Sequence, residues 1–404
     1  MKTKTILFLS GGVEALEGIR VARRMGLKVV VADGNPEAPC RDLADDFILA
    51  NIYNAEDVLA SVKKYAANNV INGAITVASD NPMSVALTTE YLNLPGIAKE
   101  TAAVATNKLL MKEVFTKNNL PVPWYRSVKT PDDVSDILYN RPGKYVLKPI
   151  DSRGSRGVVR LSESSEIASS WQYSIQYSQL KQLILEEWIE GSQLSTESLI
   201  WKGNSYLCGI ADRNYDRLEE LYPYVVEDGG ETPSQYSPNV DSKLTELITV
   251  AARSIGVENG SIKGDIVLTD KGPYIIEIAA RLSGGYFSTH TIPYVYDINI
   301  IEQVIKIAIG EIPELPQLPL KNIAFQANRF LFLPEGRVKS IKNIPVKDLE
   351  TIVFKLYVKE GQEIPSIRNH TQRGGMILCV SETRERAISK CKQIINDLKI
   401  EVDS

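Results

Sequence analysis

The stretch that most constrains this chain is GDIVLTDKGPYIIEIAARLSGG, Gly264 to Gly285. Its centre, TDKGP (Thr269–Pro273), carries Asp-Lys-Gly-Pro turn chemistry, and its flanks are rich in Ile, Val and Tyr. It reads as two strands joined by a tight loop. Symmetric pairing about Lys271 sets Leu268 opposite Tyr274, Val267 opposite Ile275, Ile266 opposite Ile276 and Asp265 opposite Glu277. Alternation then predicts an apolar face of Ile266, Leu268, Tyr274, Ile276 and Ile278, turned toward a core. The other face carries Asp265, Val267, Ile275 and Glu277, with Arg281 further along. Like charges directly opposed across an antiparallel pair, with Cβ atoms about 5 Å apart, destabilise it. A chain tolerates them where something positive sits between, and Mg²⁺ is usually held by one or two carboxylates plus nucleotide phosphates. An acidic pair on a wet sheet face is the alternative.

At 404 residues the chain predicts two to four domains. A hydrophobic content of 44% and a charged content of 24% put it among soluble globular proteins rather than disordered or membrane chains. The net charge of −4 argues against a basic nucleic-acid footprint. No apolar run approaches a membrane span. MKTKTILFLSGG leads into a strand–turn pattern, with too short an apolar core for a signal peptide. Cys40, Cys208, Cys379 and Cys391 form no CxxC pair and suggest buried thiols in a reducing cytoplasm. His290 and His370, the only histidines, leave little for a histidine metal site or a Ser-His-Asp triad.

From the N-terminus, TILFLS, GGVEALEGIRVARRMG, KVVVADGNP, DDFILA, a helix around Glu56–Asn68 and INGAITVAS alternate strand and helix. That pattern predicts a parallel sheet with helices on both faces. Ser10-Gly11-Gly12 is not GxGxxG, and Asp33 ends the second strand where a Rossmann protein binds ribose, so the layer is Rossmann-like without a dinucleotide fingerprint. TNKLLMKEVFTKNNLPVPWY predicts a helix with Leu109, Leu110, Val114 and Phe115 on its apolar face. Lys108 near its start runs against the helix dipole, which favours anions there; a solvated lysine is the other reading. GKYVLKPIDSRGSRGVVRLSE reads as strand, glycine-rich loop, strand, with Lys148 at the first strand's end. Backbone N–H groups of Asp151–Gly157 can close over phosphate oxygens, and Arg153 and Arg156 add charge; a flexible hairpin tip is the alternative. In LILEEWIEGSQ, the strand residues Leu183–Leu185 meet Glu186, Glu187, Trp188 and Ile189, an apolar slot and backbone edge of the kind adenine needs.

The ordered set Lys108, Lys148, a Gly/Ser-rich loop, Glu186-Glu187-Trp188-Ile189, Asp265, Glu277 and Arg281 resembles the ATP-grasp superfamily. Within it the chain is similar to carboxylate–amine ligases grouped with biotin carboxylase, the purine-pathway carboxylases and the L-amino-acid ligases. LPGIAKETA, PYVVEDGGETPSQ (Pro223–Gln235) and the tail segments AFQANRFLFLPEGRVKSI and GGMILCVSETRERAISK extend the likeness along nearly the whole chain. The resemblance implies a mixed α/β and α+β fold. It places a Rossmann-like (pre-ATP-grasp) domain at 1–107 and a lid lobe with connecting helix at 108–190. A metal-binding catalytic lobe follows at 191–315, and a small α+β cap at 316–404 supports a homodimer.

It also implies roles. Lys108 and Lys148 hold the α- and β-phosphates under a lid containing Ser152, Gly154, Ser155 and Gly157. Glu186 accepts from the adenine amino group, the backbone of Glu187, Trp188 and Ile189 meets the ring edge, and Gln193 meets the ribose. Asp265 and Glu277 bind one or two Mg²⁺ ions, and Arg281 stabilises the transferring phosphoryl group. ATP then activates a small-molecule carboxylate as an acyl phosphate, which an amine attacks. The family's Glu-x-Asn-x-Arg is Glu277-Ile278-Ala279-Ala280-Arg281 here, so one oxygen ligand is missing at Ala279. Asp265 replaces a more usual Glu, and Gln193 a more usual acid. On the substrate side, Ser283, Gly284 and Gly285 let backbone approach, Glu227 meets an ammonium or shapes the site, and His290 contacts substrate or is structural. Lys263, Asp212 and Arg213 rank lower, and Asn369, His370 and Arg373 read as turn and surface residues. The implied setting is cytoplasmic, without nucleic-acid or membrane partners. A purine-pathway-like carboxylase acting on bicarbonate and a non-catalytic nucleotide-binding module are the alternatives.

Overall fold

The computed structural model describes residues 3–162, 166–346 and 348–403. Strands β1 (Thr5–Phe8), β2 (Lys28–Asp33), β3 (Asp46–Leu49) and β4 (Gly73–Ile75) form a parallel sheet in the order β3-β2-β1-β4. All of β1 is buried, as a strand covered on both faces should be. Asp33 closes its own loop, accepting from the Gly11 N–H at 2.7 Å and the Asn35 N–H at 2.8 Å. A Cβ on Gly11 would lie 2.8 Å from that of Ala38, so that glycine serves a close approach.

The lid lobe is an antiparallel sheet of β5 (Tyr125–Val128), β6 (Tyr145–Pro149), β7 (Val159–Leu161) and β8 (Leu183–Glu187), in the order β5-β8-β6-β7. The chain then gives β9 (Ser192–Trp201), β10 (Asn204–Asn214), β11 (Gly229–Thr232), β12 (Gly260–Thr269) and β13 (Gly272–Ala279). The tail adds β14 (Phe325–Leu331), β15 (Gly336–Lys342), β16 (Thr351–Leu356), β17 (Glu363–Ile364), β18 (Gly375–Ser381) and β19 (Lys399–Asp403). One eight-stranded sheet runs β13-β12-β9-β10-β11-β14-β18-β16. After residue 315, β14, β18 and β16 continue the sheet that carries β9 to β13, beginning beside β11. Only β17-β15-β19 stand apart, as a three-stranded sheet. The helix Arg384–Asp397, capped by the Thr383 side chain, lays Ala387, Cys391 and Ile394 on Ala327, Leu331, Ile377 and Cys379.

The β12–β13 hairpin departs from symmetric pairing. Thr269 pairs with Gly272 across a two-residue Asp270-Lys271 turn, so Leu268 faces Pro273, Val267 faces Tyr274 and Ile266 faces Ile275. A bulge between Asp265 and Ile266 absorbs Ile276 and restores the Asp265–Glu277 pair. The bulge also exchanges faces: Ile275 joins the core with Ile266 and Ile278, while Ile276 turns to the cleft beside Val267.

The helix Lys108–Lys117 is rotated from the expected apolar face. It buries Lys108, Met111, Lys112 and Phe115, one helical stripe, and leaves Leu110 39% exposed. Two lysines fit inside because carboxylates await them there. All four cysteines are buried free thiols, and no helix among the described residues is long and apolar enough to cross a membrane. Phe115→Ala should cost about 3–5 kcal/mol in urea unfolding, and Leu110→Ala within about 0.5 kcal/mol. The reverse ranking would return the helix to the face drawn from its leucines.

Candidate active site

Lys108, Lys148, Asp265, Glu277 and Arg281 line one cleft of about 580 Å³, a volume suited to a small ligand. Ser152, Gly154, Ser155, Glu186, Glu187, Trp188, Ile189, Gln193, Glu227, Ser283, Gly284 and Gly285 also line it. Two expected residues lie outside that lining. Gly157 (φ +75°) sits behind the loop, where a Cβ would meet Pro149 Cγ at 2.8 Å. His290 packs edge-on against Tyr286 at 5.1 Å between ring centres, with Nδ1 2.9 Å from Thr289 Oγ1.

The opposed carboxylates share the cleft face, and the chain supplies their counter-charges. Asp265 is bonded by Lys263 and, at 2.8 Å, by Arg213; Glu277 lies 3.2 Å from Lys108 Nζ. Burial works to raise the Asp265 pKa, but Lys263 and Arg213 outweigh it and hold the carboxyl below the usual range. Among the described residues no group of three or more His, Cys, Asp or Glu side chains is placed to hold a metal. Asp265 and Glu277 offer two carboxylates side by side, and Ala279 adds no oxygen. Such a pair suits Mg²⁺ only when phosphate oxygens and water complete the shell.

Behind the lysines lies a buried ion network that the sequence did not announce. Glu186 Oε2 takes Lys148 at 2.8 Å and Lys112 at 3.5 Å, while Glu186 Oε1 is buried without a partner among the described residues. Lys112 Nζ also donates to the Ile275 carbonyl at 2.9 Å, beside the bulge that sets Glu277. Lys112 therefore ties the helix Lys108–Lys117 to β8 and to β13. Burial opposes ionisation of Glu186, yet Lys112 and Lys148 keep it charged. Burial, with repulsion from Lys148, pushes Lys112 down to about 8.

The loop after β6 is closed down. Lys108 Nζ donates to the Ser152 carbonyl at 2.5 Å, and the His370 N–H to the Gly154 carbonyl at 3.1 Å. Ser155 Oγ donates to the Val225 carbonyl. Arg153 reaches the N-terminal domain, donating to the Asp80 carbonyl at 2.7 Å and lying 4.2 Å over the Tyr53 ring. Asp80, just beyond β4, also holds Arg281 Nε at 2.5 Å. Burial disfavours its charge, but Arg281, Arg153 and Lys108 hold its carboxyl below the usual range. Its place past the carboxyl end of a parallel strand was the signal that could have found it.

Near Glu227, the surface reading of Asn369, His370 and Arg373 is overturned. Asn369 is buried, and His370 and Arg373 line the cleft. The Glu227 N–H donates to His370 Nε2 at 3.2 Å, and Arg373 donates to the Glu227 carbonyl at 3.2 Å. Burial, then Arg373 and Arg213, drive the imidazole pKa well below its ordinary value, so it is neutral at pH 7. Glu227 itself is paired with Arg213 at 2.8 Å. Asp212 accepts from Ser234 Oγ at 2.5 Å and from Arg384, a tail residue, at 2.6 Å. Below the Ser283 loop, Glu197 is fully buried; its Oε2 accepts from the Ser283 N–H at 3.0 Å, and burial lifts its pKa to about 7.

Residues 105–285 match the ATP-grasp domain family, and residues 329–403 match L-amino acid ligase C-terminal domain 2. The chain is similar to 3-methyl-D-ornithine–L-lysine ligase of Methanosarcina mazei, 25% identical over 78% of this chain and 75% of that protein. Its fold resembles an L-amino acid ligase from Bacillus licheniformis, with TM-score 0.79 at 19% identity over the whole of both chains. It also resembles phosphoribosylglycinamide synthetase from Anaerococcus prevotii, with TM-score 0.74 at 23% identity, again over the whole of both.

Two outcomes follow from the buried groups. Lys112→Met should weaken ATP binding about tenfold, roughly 1.4 kcal/mol, while the thermal midpoint shows a folded protein; unchanged ATP affinity contradicts the positioning role. Glu197 binds a proton in the folded chain between its ordinary pKa of 4.5 and about 7, where the unfolded chain has lost it. Its burial penalty is therefore absent below that window and complete above it, so stability falls as pH rises through it. Relative to wild type, Glu197→Gln should be near neutral at pH 4 and more stable by about 3 kcal/mol at pH 8, in urea titrations. A difference independent of pH would contradict this.

Proposed function

We propose that this chain, an ATP-grasp protein, is an ATP-dependent ligase that activates a carboxylate as an acyl phosphate and joins it to an amine, releasing ADP and phosphate. The observation that carries the reading is the convergence of Lys108, Lys148, Asp265, Glu277 and Arg281 on one cleft. Mg²⁺, held by Asp265 and Glu277, would neutralise phosphate charge as the phosphoryl group moves. Lys108 and Lys148 hold the α- and β-phosphates, Lys148 being aimed by Glu186. The loop containing Ser152, Gly154 and Ser155 offers its N–H groups to phosphate oxygens. Glu186 Oε1, buried and unpartnered, accepts from the adenine amino group. The Glu187 and Trp188 N–H groups are taken by Trp124 and Lys144 carbonyls, leaving the rest of that backbone to Ile189 for the ring edge. Gln193 hydrogen-bonds the ribose without charge.

The substrate carboxylate attacks the γ-phosphate in line while Arg281 stabilises the charge that develops on it. The amine, attacking in its neutral form, bonds to the acyl carbon as the C–O bond to phosphate breaks, and the leaving phosphate takes the proton that the new amide nitrogen sheds. Glu227, whose Oε2 holds Arg213, meets the incoming amine with its other carboxylate oxygen, and the backbone at Ser283, Gly284 and Gly285 lets the acyl group come close. An acyl phosphate is lost to water in an open site. The contacts of Gly154 with His370 and of Ser155 with Val225 hold the loop over the cleft. Small-molecule substrates, a cytoplasmic location, a homodimer and domain limits at 107, 190 and 315 complete the reading, on the family resemblance.

Bicarbonate-dependent carboxylation of a ribotide suits the cleft less well. Arg213 and Lys263, which a ribotide phosphate would need, are already paired with Glu227 and Asp265. Ala279 is the one feature favouring a non-catalytic nucleotide-binding module. Glu277→Ala should abolish Mg²⁺-dependent ADP formation in a coupled assay across candidate acids and amines, with the fold intact. Lys148→Ala should raise the KM for ATP at least about tenfold. Undiminished turnover in the first variant, or undiminished ATP affinity in the second, overturns the assigned roles.

A further inference from the structure

We propose that the cleft floor beyond the metal carboxylates ends in a subsite for an uncharged hydrogen-bonding side chain, a carboxamide, on the carboxylate substrate. The proposal rests on the ligase reading above for where the reacting carboxylate lies. Strand register puts Glu277, Asp265, Ser195 and Ala211 side by side across β13, β12, β9 and β10. On the next two strands Thr232 of β11 stands opposite Gln326 of β14. Alongside, Gly230 separates Arg213 from Asn328.

Thr232, Gln326 and Asn328 all line the cleft, and the first two are each 1% exposed. Thr232 Oγ1 has no partner among the described residues. Gln326 Nε2 donates to Asn328 Oδ1 at 3.2 Å, which leaves the Gln326 carbonyl to accept and the Asn328 amide to donate. One acceptor, one donor and one hydroxyl complement a carboxamide. Asp212 and Glu231 are tied to Arg384, and Glu231 also to Arg329. Arg373, the neighbouring cation of the cleft, donates to the His370 and Glu227 carbonyls and lies 3.3 Å over the Phe330 ring, so an anionic tail at Thr232 would have to draw it from those partners. An apolar tail would leave the buried hydroxyl and amides unmatched. Such sites reject analogues that lack the hydrogen-bonding group. On the ligase reading the reacting phosphate lies beside Asp265, three strand intervals or about 14 Å from Thr232, a span that the phosphate and an extended glutamine-sized acid with its hydrogen bonds cover together.

The test is calorimetric titration of the full chain, saturated with ADP and Mg²⁺, with L-glutamine, L-glutamate and L-methionine, three acids of similar length. Glutamine should bind at least tenfold tighter than the other two. Gln326→Met should cancel that preference, and the near-isosteric Thr232→Val should reduce it several-fold. Equal binding of glutamate or methionine, no binding of any of the three, or a preference that survives both substitutions overturns the subsite. Glutamine binding with the expected preference, but without ADP formation from ATP and any amine, would support the subsite while overturning the ligase reading.

Discussion

Charge compensation along one face of the β12–β13 hairpin is the constraint on which the rest of the structure depends. Asp265 and Glu277 oppose each other on adjacent strands, and their repulsion is removed by Lys263, Arg213 and Lys108. The same logic recurs one layer deeper, where buried Glu186 holds Lys148 and Lys112. A buried ion costs several kcal/mol unless its partners are in place. These pairings therefore fix the relative placement of the elements that carry them.

Those elements come from every part of the chain. Lys108 and Lys112 sit on the helix Lys108–Lys117, Glu186 on β8, and Asp265 and Glu277 on β12 and β13. Asp80 brings in the N-terminal sheet through Arg281 and Arg153, and His370 brings in the tail through Glu227 and Gly154. The tail also supplies β14 to the main sheet, so a segment far in sequence from Lys108 and Lys148 builds the other end of the same floor. The proposed chemistry asks for such an arrangement, with nucleotide at one end, substrate at the other and the loop after β6 across the middle.

Much of this was legible in the sequence. The carboxylate pair, the two lysines, the loop between β6 and β7 and the Rossmann-like layer each left a local mark of turn chemistry or strand alternation. The hairpin's outer register was not legible, because a bulge at Ile276 leaves no compositional signature in a run of isoleucines. The helix face was misjudged because Lys112 reads as a surface residue until Glu186, more than seventy positions away, is folded against it. His370 and Arg373 sit in a polar loop like many exposed ones, and only long-range packing on Glu227 turns them inward. With two histidines in the chain, the sequence offered no ground for favouring His290 over His370.

The central claim is that protein cations hold the Asp265–Glu277 pair until a nucleotide arrives, and that a divalent ion enters only with phosphate. Paramagnetic resonance of Mn²⁺, titrated into the full chain with and without ADP, tests it directly. The account predicts scarcely any bound ion without nucleotide and a tightly held ion once ADP is present. Tight Mn²⁺ binding to the nucleotide-free protein, or none retained with ADP, would contradict it.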